Sequence, residues 1–161
     1  MWKTGVSVER GAADELMDFG LEETSGRGLR RYVDLVTRAL GITGECSYVE
    51  VRRPFAAYLA LDGRLARFPD QDVALLWDEE HGWAMAVESH SAEDPLVIAR
   101  RGGEPVPHPD AVAAWAIDLL QDQHDSGPVH ALPTPSRVED IVGELMTYAA
   151  AALSTGFRAT A

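Results

Sequence analysis

The sequence predicts an α+β fold: an antiparallel meander sheet of about five strands, preceded by one helix and followed by two. Three observations carry the prediction. Apolar residues recur at helical spacing over 29–40, strand-like runs fill 46–99 with no helical segment among them, and two more amphipathic stretches follow Pro109. Parallel neighbours need long crossovers, usually helical, and none is available between the strands. They must therefore pair antiparallel in chain order.

The first helix is set by Leu29, Val33, Val36 and Leu40, with Arg30, Arg31, Asp34 and Arg38 on the other face and Gly41 as its stop. Residues 1–26, with their glycines and the run Glu22-Glu23-Thr24-Ser25-Gly26, read as a tail. Leu16, Met17 and Phe19 in it supply enough apolar surface for one short docking helix. Cys46 to Arg52 alternates as a strand does and is ended by Pro54; Phe55 to Leu61 is closed by Asp62-Gly63. Asp72 to Asp78 and Trp83 to Glu88 form a hairpin through Glu79-Glu80-His81-Gly82, and Leu96 to Ala99 precedes Gly102-Gly103. Pro109 suits a first helical position, followed by Val112, Trp115, Ala116, Leu119 and Leu120 on one face. Ser136 and Glu139 have the spacing of a capping box before the stripe Val138, Ile141, Val142, Leu145 and Met146. A single domain over 27–154 results, with a C-terminal tail at 155–161.

The 46% apolar content is ample for a core. No run nears the roughly 18 apolar residues of a membrane span, and Met1-Trp2-Lys3 does not open a secretion signal, so a cytoplasmic address is expected. Cys46 is the only cysteine, which excludes an internal disulfide and a cysteine-based zinc cluster and leaves an inert strand thiol. The net charge of −12 is segregated. Residues 27–67 hold eight arginines against four acids, whereas 69–94 hold eight acids and no lysine or arginine. Phosphate repulsion argues against nucleic acid as a partner unless those arginines gather on one exposed patch.

Each strand of the hairpin carries apolar groups on both of its faces: Val73, Leu75 and Trp77 against Ala74 and Leu76 in the first, and Trp83, Met85 and Val87 against Ala84 and Ala86 in the second. A sheet with one wet face alternates more cleanly, so a helix, a second subunit or a partner is expected over each side. A homodimer follows as the preferred reading.

The segments Ala57-Tyr58-Leu59-Ala60-Leu61-Asp62, Asp72-Val73-Ala74-Leu75-Leu76-Trp77-Asp78, His81-Gly82-Trp83-Ala84 and Pro95-Leu96-Val97-Ile98-Ala99 resemble a family of small actinobacterial proteins of unknown function. The resemblance runs from about Leu29 to Leu120. It implies a cytoplasmic bacterial α+β protein and carries over no catalytic residue. The expected architecture also resembles secretion-chaperone-like folds, which implies capture of protein segments.

Of the chemical motifs, Pro69-Asp70 followed by Glu88-Ser89-His90 resembles a Mg²⁺ nuclease signature, with His90 where the activating lysine belongs. An odd loop between the two strands sets Asp70 and Asp72 on the side of Glu88; an even loop opposes them. His108-Pro109-Asp110 matches the J-domain co-chaperone tripeptide, but its position is better explained as a helix start. Asp122, His124, Asp125 and His130 have no recognised ligand spacing and read as a polar loop, so no metal is assigned. Neither a phosphate loop nor a nucleophile elbow occurs. Glu79 and Glu80 at the hairpin tip, between Trp77 and Trp83, are the candidate partner surface, with Arg52 and Arg53 as an anion contact. The chain thus reads as a non-enzymatic protein-binding or regulatory module, homodimeric and without a cofactor. The alternatives are a degenerate nuclease using Asp70, Glu88 and His90, or an acidic partner neutralising a basic protein.

Overall fold

The computed structural model describes residues 6–43, 47–91, 93–122, 132, 134 and 136–156. The order is α1 (Val6–Leu40), β1 (Ser47–Glu50), β2 (Ala56–Leu61), β3 (Val73–Asp78), β4 (Gly82–Val87), β5 (Leu96–Arg100), α2 (Pro109–Gln121) and α3 (Val138–Gly156). The strands form one sheet in sequence order, and every neighbouring pair is antiparallel. The α+β meander expected from the strand pattern is the observed fold.

Register sorts the sheet's two faces. Ala57, Trp77 and Trp83 lie side by side, as do Leu59, Leu75 and Met85, and then Leu61, Val73 and Val87. All nine are buried in one core with Leu29, Tyr32, Val33 and Val36 of α1, Val112 and Ala116 of α2, and Ile141 and Leu145 of α3. Tyr32 is the bolt of this core. Its hydroxyl donates to the Pro107 carbonyl at 2.6 Å and accepts from Trp83 Nε1 at 3.0 Å, while its ring packs on Trp83 and Tyr148. Burial pushes the Tyr32 phenol far above its ordinary range.

α1 corrects the reading of a tail before a helix at Leu29. It is one helix from Val6 to Leu40, about 52 Å long at 1.5 Å per residue. The glycines that look like breaks are packing sites. A Cβ on Gly28 would sit 1.8 Å from the Leu145 carbonyl oxygen, and one on Gly26 2.7 Å from that of Val51. Ser25, fully buried, returns its hydroxyl to the Leu21 carbonyl at 2.6 Å. Close contact with α3 and with the chain beyond β1 thus offsets the poor helix propensity of glycine.

The capping box is also corrected. Ser136 donates to the Thr134 carbonyl, and the Arg137 carbonyl accepts the first helical bonds of α3 from Asp140 and Ile141. Before α2, His108 accepts the Asp110 amide at its ring nitrogen and Pro109 takes the first helical position.

Among the described residues, helices cover one sheet face only, not both as expected. α2 and α3 both pack on α1, so all three helices share the tryptophan side. On the other side Ala74, Ala84 and Ala86 are nonetheless at most 3% exposed, and Leu76 and Tyr58 are half-buried. The central methyls on that side are therefore sheltered within the single chain, and the face does not demand a second subunit.

Candidate functional site: an arginine-lined groove beside the first helix

The contact of Gly26 with Val51 draws α1 against the β1–β2 connection and brings distant arginines together. Beside it lies a groove of about 590 Å³. Arg27 and Arg30 come from α1, Arg52 and Arg53 from the connection; Phe19, Val51, Glu22 and Glu23 complete the lining. Four cations against two carboxylates make a positive site in a chain of net charge −12.

The arginines are not equivalent. Arg53 is held by Glu79, with Nη2 3.1 Å from Oε1, and its backbone amide donates to Glu22 at 2.8 Å. Glu79 raises the Arg53 pKa and also accepts the Phe55 amide, so this ion pair ties the connection to the hairpin tip. Arg27 pairs with Glu23 at 3.3 Å, but both side chains are mostly exposed, where such pairs contribute little. Arg30 and Arg52 have no carboxylate within ion-pair distance among the described residues. The Arg52 amide, however, donates to Glu50, and this bond, with help from the Tyr48 hydroxyl, lowers the Glu50 pKa. Neither guanidinium is held in an ion pair among the described residues, although the Arg52 charge also helps to lower the Glu50 pKa.

A second groove of about 700 Å³ adjoins the first, sharing Glu22 and Arg53; Leu21, Phe55, Val138, Val142 and Met146 line it together with Asp18 and Glu139. Above both, the N-terminal half of α1 exposes Leu16 at 73%, Met17 at 68% and Phe19 at 66%. These three side chains form an exposed apolar cluster within four residues of one helix.

The other predicted site residues fall elsewhere. Trp77 and Trp83 are 1% exposed, with their indole N–H groups on Pro105 and Tyr32, so neither is available to a partner. Their cross-strand pairing on the helix side, through a three-residue loop at 79–81, puts them inward. At the tip, Asp78 accepts the amides of Glu80 and His81, Glu79 turns back to Arg53, and Glu80 is mostly exposed, 3.9 Å from the His81 ring. The odd loop does place Asp72 and Glu88 on one face, but each is already engaged. Asp72 pairs with Arg64 at 2.6 Å, and Glu88 accepts the Tyr58 hydroxyl at 2.5 Å. Asp70 and His90 are exposed, and no group of three His, Cys, Asp or Glu converges among the described residues. Cys46, His124, Asp125 and His130 lie outside the described residues. No described helix is long and apolar enough to cross a membrane.

Sequence reasoning reached Arg52 and Arg53 but missed Arg27, Arg30 and Phe19. The signal was the excess of arginine over 27–67; what it lacked was the glycine contact that folds the two arginine pairs together.

Neither a curated protein nor a solved structure matches the chain. A family model does, over residues 32–118, from the Tyr32 bolt through most of α2 and more than half of the sequence. The chain belongs to this family, DUF6292, a family of unknown function.

Proposed function

We propose that this chain is a non-enzymatic protein-binding module whose arginine-lined groove takes a partner segment that is both acidic and apolar. The observation that carries the reading is the pair of guanidiniums, Arg30 and Arg52, that form no ion pair among the described residues, beside exposed Phe19 in a strongly acidic protein. Isolated surface arginines would be ordinary. Here they line a concavity next to a partly apolar groove, so a ligand with carboxylates alone would leave that part of the surface unused. The acids of the hairpin favour this over the neutralising-partner reading. Glu79, mostly buried, is held by Arg53, and Asp78 accepts the amides of Glu80 and His81, so neither is presented to a basic protein.

Fluorescence anisotropy with two labelled helical peptides tests it, one carrying leucine, phenylalanine and glutamate at helical spacing and one with lysine for glutamate. The acidic peptide should bind, more weakly at high salt and in Arg52→Glu. Equal affinity for both peptides would refute the proposal.

A further inference from the structure

We infer that the occupant of the groove is the acidic first half of α1 from a second copy of this chain, the two helices lying antiparallel. The inference rests on the groove being a protein-binding surface. Leu16, Phe19, Glu23, Arg27 and Arg30 follow one another at steps of three and four residues, so they form one stripe along α1. All five are exposed, on the side of the helix away from buried Leu29, Tyr32, Val33 and Val36. The stripe has two unlike ends. At one, Leu16 and Phe19 stand among Glu15, Asp18 and Glu22; at the other are Arg27 and Arg30, with Arg52 across the groove.

Such a helix complements itself only when reversed. Parallel apposition sets arginine against arginine, whereas an antiparallel pair centred on Glu23 sets Leu16 of one copy on the aliphatic stem of Arg30 of the other. Phe19 then meets Arg27, whose guanidinium stacks on an aromatic ring. Glu15, one step toward the groove, falls between Arg30 and Arg52 of the other copy. Two-fold symmetry makes every contact twice. Glu23 meets its own copy on the axis, where each carboxylate already holds Arg27 of its own chain at 3.3 Å, which offsets the like-charge repulsion. Leu16 and Phe19 at one end of the stripe and Arg27 and Arg30 at the other are covered by a single contact, with Arg52 beside it.

The test is the solution mass of the full chain by sedimentation across micromolar concentrations, for the wild type, Arg30→Glu, Leu16→Glu and the charge-swapped double variant Glu15→Arg with Arg30→Glu. All three positions are exposed, and circular dichroism with a melting curve checks that each variant folds. The wild type should dimerise, each single variant should weaken the dimer on the order of tenfold or more, and the double variant should recover much of the loss. A monomeric wild type, or a dimer indifferent to both single variants, would overturn the inference. A monomer that still binds the acidic peptide overturns it while leaving the groove reading intact; a monomer that binds neither peptide overturns both.

Discussion

Replacing Tyr32 with phenylalanine removes one oxygen atom and isolates two buried groups. The Pro107 carbonyl loses its donor at 2.6 Å and the Trp83 indole N–H loses its acceptor at 3.0 Å, while the ring contacts with Trp83 and Tyr148 are kept. Each buried group left without a partner costs about 1–3 kcal/mol, so the loss from two should total about 2–6 kcal/mol. That is a large share of the stability of a domain this size. Urea unfolding followed by tryptophan fluorescence reads it, because Trp77 and Trp83 are buried in the native state. The difference between the two proteins should also depend on pH. Burial raises the folded-state pKa of Tyr32, so the folded protein keeps the proton while the unfolded chain releases it above about pH 10. The folded state then binds more protons than the unfolded one, and stability falls as pH rises. Phenylalanine has no such proton. The wild-type advantage should therefore be flat up to about pH 9 and shrink above about pH 10. A neutral-pH loss under about 0.5 kcal/mol would refute the assignment of Tyr32 as the bolt between α1, β4 and the segment before α2.

Further expectations follow from the same packing. Gly28→Ala should destabilise, because the new methyl meets the Leu145 backbone and overpacking of about 1–3 kcal/mol exceeds the ~1 kcal/mol gain in helix propensity. Gly20→Ala, with nothing within 4 Å of its Cβ, should instead stabilise by up to ~1 kcal/mol; thermal melts that rank the two the other way would contradict the α1–α3 contact. Partial burial, then repulsion from Glu104 and Asp140, raises the Glu144 pKa, so folding favours its protonated form and the stability present in acid is lost as pH rises past the carboxylate range. Glu144→Gln should accordingly raise the melting temperature modestly at pH 7 and leave it unchanged near pH 3, about a unit below the ordinary glutamate value. Millimolar Mg²⁺ should not shift the melting temperature of the wild type, since the Glu88 carboxylate is engaged by Tyr58; a stabilisation abolished by Glu88→Ala would revive the nuclease reading.

The strands were legible because alternation, Asp62-Gly63 and Gly82 are local signals, and each fell within a residue or two of its expected bounds. The start of α1 was not. Gly26 and Gly28 weaken an isolated helix, and only Val51 and Leu145, distant in sequence, turn them into close-packing positions. The same contact explains the half-read site. Arg52 and Arg53 stood out as neighbours in the chain, but their meeting with Arg27 and Arg30 depends on how tightly α1 lies against the end of β1. The tryptophans misled for a different reason. They flank an acidic turn in sequence, and only the three-residue loop and the register decide that both rings point toward the helices. Ser136 and Glu139 show that a correct spacing does not ensure a cap when the serine hydroxyl finds a carbonyl two residues back.

Disulfide trapping addresses the antiparallel α1 pair most directly, in a background where the single native cysteine, Cys46, is serine. Glu23→Cys places one thiol from each copy at the two-fold axis and should oxidise rapidly to a covalent dimer, while Asp34→Cys, further along the helix, should remain monomeric under the same conditions. Equal cross-linking at both positions, or none at Glu23→Cys, would contradict the pairing.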